Sequence, residues 1–376
     1  MDLTFDDDTE EFRAEVREFL AANRSHFPTE SYDTAKGFEQ HRHWDRVLFD
    51  AGLSVIAWPK EYGGRDATLL QWIVYEEEYF RAGAPGRASA NGTSMLGPTL
   101  FAHGTEEQQR RVLPKMASGE EIWAQAWSEP ESGSDLASLR STATRTDGGW
   151  RLNGQKIWSS RAPFGDRAFG LFRTDPAAQR HRGLTYLMFD LRADGVTVRP
   201  IAQLGGDTGF GEIFLDDVFV PDEDVIGAVD GGWSAAMSTS SNERGMSLRS
   251  PARFLAPAER LVKAWQVDRD PAYADRVADA WIKAQAYRLH TFGTVTRLTE
   301  GGELGAESSV TKVFWSDLDV ALHQTALDLR GADGELVDHW TDGLLFALGG
   351  PIYAGTNEIQ RNIIAERLLG LPREPK

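Results

Sequence analysis

Cysteine is absent from all 376 residues, which excludes disulfides, thiolate metal sites and cysteine nucleophiles together. Positive charge is in short supply: 40 Lys and Arg face 57 Asp and Glu, a formal net charge of -17. Such a balance disfavours nucleic acid, because a phosphate-binding face carries an excess of basic residues. No run of about eighteen apolar residues marks a membrane span, and the acidic start has no apolar signal core. A cytoplasmic protein without membrane contact is therefore expected. Among eight His, His41-x-His43 is the close pair, a spacing that reads as a solvated helix or loop feature, and no metal is expected. No Gly-Lys-Ser/Thr phosphate loop exists, and the Gly205–Gly209 run lacks the crossover helix a dinucleotide turn would need. Internal repeats and low-complexity linkers are missing too.

What is present suits a soluble globule of two or three domains: 41% hydrophobic residues and 12 Trp can bury a substantial core. Asp8 offers an N-cap with Glu11 closing a capping box, and Phe12, Val16, Phe19 and Leu20 share one helical face. Helical periodicity continues over Gln71–Phe80 and Glu106–Met116, interrupted by glycines and by Pro98 and Pro114. From Trp123 the texture changes to short β-branched and aromatic runs, among them Leu184–Phe189, Gly195–Val198 and Glu212–Val220, punctuated by turns such as Thr146-Asp147-Gly148-Gly149. After Gly231-Gly232 helical patterning returns. Ala274–Leu289 is long and Ala-rich, and Ile359, Ile363, Ile364 and Leu368 mark a last helix stopped by Gly370 and Pro372. The expected class is α+β, with an N-terminal helical domain over 1–121, a middle antiparallel β-domain over 122–228 and a C-terminal helical bundle over 229–376.

Two segments stand out chemically. Ser128-Glu129-Pro130-Glu131-Ser132-Gly133-Ser134-Asp135 is a turn-forming run whose backbone N–H groups are available to a ligand, and Asn153-Gly154-Gln155-Lys156-Ile157-Trp158-Ser159-Ser160 follows it. On composition alone the first is a surface turn. Together they resemble the two flavin-contacting signatures of the acyl-CoA dehydrogenase family. Trp58-Pro59-Lys60-Glu61-Tyr62-Gly63-Gly64 resembles that family's N-terminal domain, and Ile352 to Arg361 resembles its C-terminal signature. The resemblance implies that family's fold, with FAD as cofactor, and 2,3-dehydrogenation of an acyl-CoA thioester.

That chemistry needs a base for the C2 proton, donors for the thioester oxygen and a two-electron acceptor. In many relatives the base is a Glu directly after the Tyr of the C-terminal signature; here that position is Ala354. Either the chain is inert, or a carboxylate enters from elsewhere. A similar branch of the family carries its base before an Arg on the first helix of the C-terminal domain, which makes Glu243, in Ser241-Asn242-Glu243-Arg244-Gly245, the candidate for proton abstraction. Taken alone, a Glu beside an Arg on a helix is a solvated pair. Glu358 is the rival carboxylate, one helical turn beyond Ala354 and expected to face elsewhere. The Ala354 N–H keeps its role as a donor to the thioester oxygen, and flavin N5 would receive the hydride.

The resemblance puts Trp127, Ser128, Trp158, Ser159 and Ser160 around the flavin ring, and Thr356 and Glu358 toward its phosphate and adenine portion. Gly331-Ala332-Asp333-Gly334 resembles the turn that receives FAD from a neighbouring subunit; Gly331 and Gly334 are its glycines. Ser134, Ser241, Arg244, Tyr353 and Gly355 are the implied substrate contacts. An electron-transfer flavoprotein is the implied oxidant, and a homodimer, homotetramer or hetero-oligomer the implied assembly, in fatty-acid or lipid catabolism. Two alternatives remain open: a non-catalytic subunit that completes the FAD site of a partner, and an oxygen-using oxidase or monooxygenase on the same fold.

Overall fold

The computed structural model describes residues 5–244 and 250–373; the side chains of 242–244 lie outside the described part. Along the chain run α1 (Asp7–Ala22), α2 (Ala35–Asp50), α3 (Leu69–Arg81), α4 (Gly97–His103) and α5 (Glu106–Ala117). Eight strands follow: β1 (Trp123–Ala126), β2 (Thr142–Thr146), β3 (Gly149–Ser160), β4 (Arg167–Arg173), β5 (Leu184–Asp190), β6 (Val196–Ile201), β7 (Phe210–Pro221) and β8 (Val225–Ile226). The helices α6 (Gly232–Arg244), α7 (Ala252–Asp268), α8 (Ala274–Thr299), α9 (Glu307–Arg330), α10 (His339–Gly349) and α11 (Asn357–Ile363) complete the order. The α, then β, then α progression matches the expected α+β class. Among the described residues no helix is long and apolar enough to cross a membrane.

Contacts divide the chain into two compact units. One comprises Met1–Arg24, Thr68–Ala84 and Arg244–Lys376. Its core is helical: Phe254, Leu261, Ala284, Trp315, Leu318 and Leu322 pack from α7, α8 and α9, with Trp340 of α10 among them. Inside this unit the buried Glu77 and Glu78 of α3 are answered by cations from α1 and α8. Arg13 reaches both, Arg17 reaches Glu78, and Arg288 reaches Glu77 at 2.5 Å.

The other unit comprises Ser25–Ala67 and Pro85–Glu243 and contains the sheet, ordered β6-β7-β3-β2-β4-β5-β8. Its long ladders are antiparallel, while β1 adds to β4 in parallel. Alternation of side chains sends Leu152, Ile213, Leu215, Val218, Phe172 and Phe189 into one apolar cluster.

Several local expectations are corrected. The N-cap of α1 is Asp6, whose carboxylate accepts the Thr9 N–H at 2.8 Å; no Asp8–Glu11 box forms, since the helix has already begun at Asp7. Pro114 sits inside α5 rather than ending it, its neighbours Leu113 and Met116 being fully buried, so packing outweighs the one lost helical hydrogen bond. Helix α8 continues ten residues past Leu289 to Thr299 because Phe292 and Val295 extend its buried stripe. His41 is not solvated: it is buried, with Nδ1 2.6 Å from the Gly86 carbonyl and Nε2 3.2 Å from that of Glu30.

Candidate functional site

Within the sheet-bearing unit, β3 carries the second of the two flavin-like signatures. Its pairing with β7 slips between Lys156 and Ser159, and Trp158 lies in this bulge with φ +57°, a left-handed conformation that costs an ordinary residue about 1 kcal/mol or more. The ring is 57% exposed and meets Phe210 edge-on at 6.0 Å. Ser159 next to it is fully buried, and among the described residues its Oγ has no hydrogen-bond partner. The Ser160 carbonyl accepts from Asn91 Nδ2 at 3.3 Å. A strained exposed indole beside an uncommitted hydroxyl fits a flat aromatic ligand with polar edge atoms.

The Ser128 loop is tied to this strand, its carbonyl accepting the Ile157 N–H at 2.8 Å. Lys156 forms the deeper tie. Its ammonium, fully buried, donates to Glu129 Oε1 at 2.8 Å, the Leu171 carbonyl at 2.8 Å and the Trp127 carbonyl at 3.4 Å. Glu129 in turn accepts the N–H groups of Arg140 at 2.6 Å and Ser141 at 2.9 Å. Burial alone raises the Glu129 pKa, but the Lys156 charge and these donors bring it below the usual carboxylate value; burial lowers that of Lys156. Neither residue has a role that its sequence motif alone implies. The available signal was a lysine among strand residues, where only a buried partner makes it tolerable.

Trp127 donates its indole N–H to the Tyr186 hydroxyl at 3.1 Å. Ser134 is exposed in the turn before Asp135. Helix α6 follows β8, and Gly232 at its start is obligatory: a Cβ there would lie 2.4 Å from the Tyr186 backbone nitrogen. Ser241 is exposed and donates to the Met237 carbonyl at 3.0 Å. Glu243 and Arg244 end α6; their side chains are outside the described residues.

The helical unit carries the C-terminal signature. Tyr353 packs its ring 6.0 Å from that of Trp315 and 6.1 Å from that of Phe346. Ala354 and Gly355 then both take positive φ, +55° and +80°. Gln360, fully buried, clamps the turn by donating Nε2 to the Ala354 carbonyl at 3.0 Å and that of Gly355 at 3.3 Å. Among the described residues no acceptor takes the Ala354 N–H. Thr356 caps α11 by accepting the Ile359 N–H at 3.2 Å. Asn357 is buried, its Oδ1 accepting from Lys312 Nζ at 2.8 Å and Ser316 Oγ at 3.1 Å. Glu358 is mostly exposed, and hydrogen bonds from its own backbone N–H and from Thr356 hold its carboxyl below the ordinary value.

Gly331 and Gly334 lie in the short turn after α9, where a cleft of about 350 Å³ opens between Tyr273, Arg276, Asp328 and Glu335. Arg276 is paired with Asp328 at 2.7 Å, and Arg330 with Asp338. Both guanidiniums beside the turn are thus engaged in ion pairs within the chain.

Against known proteins, residues 6–120 match the profile described as acyl-CoA dehydrogenase, N-terminal domain, residues 124–218 the middle domain and 230–369 the C-terminal domain. The chain is 40% identical over 391 residues to the acyl-CoA dehydrogenase IpdE1 of Mycobacterium tuberculosis, covering 98% of this chain and 99% of that one. It is 38% identical to the acyl-CoA dehydrogenase FadE34 of the same organism, covering 87% of this chain and 46% of that one. A solved structure described as the Tcur3481-Tcur3483 steroid ACAD superposes with a TM-score of 0.90 at 27% identity, each chain fully covered. The ChsE4-ChsE5 complex from Mycobacterium tuberculosis does so at 0.86 and 27%, again with full coverage.

Proposed function

Because this chain belongs to the acyl-CoA dehydrogenase family, we propose that it removes hydrogen from C2 and C3 of an acyl-CoA thioester, with Glu243 taking the C2 proton. FAD, the family's cofactor, supplies the two-electron acceptor that no side chain provides. Trp127, Ser128, Trp158, Ser159 and Ser160 would hold its ring system, with Thr356 and Glu358 toward the phosphate end.

The observation that carries the reading is the turn at Ala354. Its left-handed backbone is held by Gln360 and its N–H is uncommitted, as a donor to a thioester oxygen requires, while its methyl group takes no proton. As the C2 proton leaves, negative charge grows on that oxygen, and a fixed N–H there stabilises it by a few kcal/mol. The base must then come from another segment. Glu358 is a poor rival, being exposed and held ionised by its cap interactions. Glu243, before Arg244 on α6, is the remaining carboxylate that the family pattern supports. Ser134, Ser241, Arg244, Tyr353 and Gly355 would line the pantetheine and acyl path.

Anaerobic flavin bleaching against a panel of acyl-CoAs tests this, and the panel should include a steroid-derived acyl-CoA because one similar structure is described as a steroid ACAD. Glu243→Gln should keep its yellow colour and lose bleaching by at least about a thousandfold, within the range of a missing general base. Wild-type bleaching by that variant would dismiss Glu243.

A second reading is favoured by the ion pairing of Arg276 and Arg330 within the chain: it pairs with a different subunit that completes FAD binding. One similar structure is described as the ChsE4-ChsE5 complex, and another carries the paired name Tcur3481-Tcur3483. Purification alone decides. Colourless protein that becomes yellow only with a partner supports pairing, and a full flavin complement in the isolated chain removes it. An electron-transfer flavoprotein is the proposed oxidant; peroxide production in air with acyl-CoA would instead assign an oxidase.

A further inference from the structure

A chain of buried hydroxyls joins three elements of the sheet-bearing unit. Tyr186 of β5 accepts the Trp127 indole N–H at 3.1 Å, its oxygen lies 3.3 Å from Thr239 Oγ1 of α6, and that oxygen lies 2.7 Å from Thr99 Oγ1 of α4. Tyr186, Thr239 and Thr99 are each fully buried. An indole N–H only donates, so Tyr186 is the acceptor there, while between Tyr186 and Thr239 either hydroxyl can donate. Thr239 and Thr99 also reach the carbonyls of Ala235 at 3.0 Å and Met95 at 2.8 Å. Every hydroxyl in the chain is thus engaged.

Helix α6 needs such support. Its second half reads Ser238-Thr239-Ser240-Ser241-Asn242, residue types that form helix weakly because their side chains compete for backbone hydrogen bonds. Its start is fixed by Gly232 against β5 and by the Asp230 N–H on Thr185 Oγ1 at 2.9 Å. About two turns later Thr239 provides the second fixed point, and Glu243 follows one turn beyond.

We propose that Tyr186 is a positioning residue: through Thr239 its hydroxyl sets the last turns of α6 and so the backbone from which Glu243 takes the C2 proton. Trp127 orients Tyr186, which couples the Ser128 loop to the same helix. The inference rests on the assignment of Glu243 as base, and its test separates the two. Tyr186→Phe and Thr239→Val should each speed backbone amide exchange over residues 237–241 by about tenfold or more, a local opening, while exchange in β3 and FAD content stay at wild-type levels. Each should slow anaerobic bleaching, by the acyl-CoA that bleaches wild type fastest, by about tenfold or more, as misplacement of a reacting group does. Thr239→Ser, which keeps the hydroxyl, should restore both. Wild-type exchange over 237–241 in both variants overturns the tie, and faster exchange with unaltered bleaching overturns its positioning role. Glu243→Gln is measured alongside: if it bleaches normally the base assignment fails, while the exchange result still decides whether Tyr186 holds the helix.

Discussion

Asp45 on α2 is almost completely buried and accepts the Ser89 N–H at 2.8 Å. Burial pushes its pKa from the ordinary 3.8 up to about 6, the Ser89 bonds and the charges of Arg87 and Arg161 only partly offsetting the desolvation. A carboxyl whose folded pKa lies above its unfolded one costs nothing below about pH 4, where both states are protonated. The cost grows as pH rises and is complete above about pH 6, where it reaches about 3 kcal/mol. Asp45→Asn should therefore be more stable than wild type by up to about that amount in urea unfolding at pH 8, with the difference vanishing near pH 4. A constant difference across that range would refute the cause. Lys156 sets the opposite case. Lys156→Met strands the Glu129 carboxylate in the interior and should cost about 3–5 kcal/mol, and adding Glu129→Gln should recover part of it, because the single amide oxygen still accepts from one of the Arg140 and Ser141 N–H groups and the buried charge is gone. No recovery in the double variant would mean the pair's electrostatics are not what is lost.

Strands β5, β6 and β7 were legible from their apolar and β-branched runs, but β3 and its bulge were not. The register slip that brings Trp158 to positive φ depends on β7, more than fifty residues away, because pairing partners fix where a ladder breaks. An exposed residue held in a strained conformation contributes little to folding. Trp158→Gly, relieved of strain but freer when unfolded, should shift stability by no more than about 1 kcal/mol while FAD retention on gel filtration falls about tenfold or more. Equal losses in melting temperature and flavin would instead make the indole a structural residue. The C-terminal signature shows the same division. Its helix and its stop were readable from Ile359 to Gly370, whereas the clamp of Gln360 on Ala354 and Gly355 emerges only once the turn is built.

A molecule with a formal charge of -17 repels a polyanionic thioester at long range. Raising ionic strength from about 0.01 to about 0.1 M shortens the screening length from about 30 to about 10 Å, so the association rate of acyl-CoA, followed by stopped-flow, should rise. A fall would show that basic residues near the site, Arg244 among the candidates, dominate the field. FAD should also stabilise the native state by mass action, by about 2.7 kcal/mol at a hundredfold excess over its dissociation constant. A melting temperature indifferent to added FAD would contradict cofactor binding by the isolated chain and favour the paired assembly.

Periodicity, turn residues and four motifs were enough for the α, β, α order and the family, because those signals are local: an apolar stripe of period 3.6, an alternation of period 2, a glycine after a helix. The vacancy at Ala354 was equally plain in one dimension. What awaited folding were properties of pairs distant in the chain. Lys156 with Glu129, Tyr186 with Thr239, and the interior placement of His41 and Asp45 each depend on which segments close around a polar group and which partner meets it there. Burial turns such a group from solvated to dependent on its neighbours, and sequence spacing carries no record of that distance.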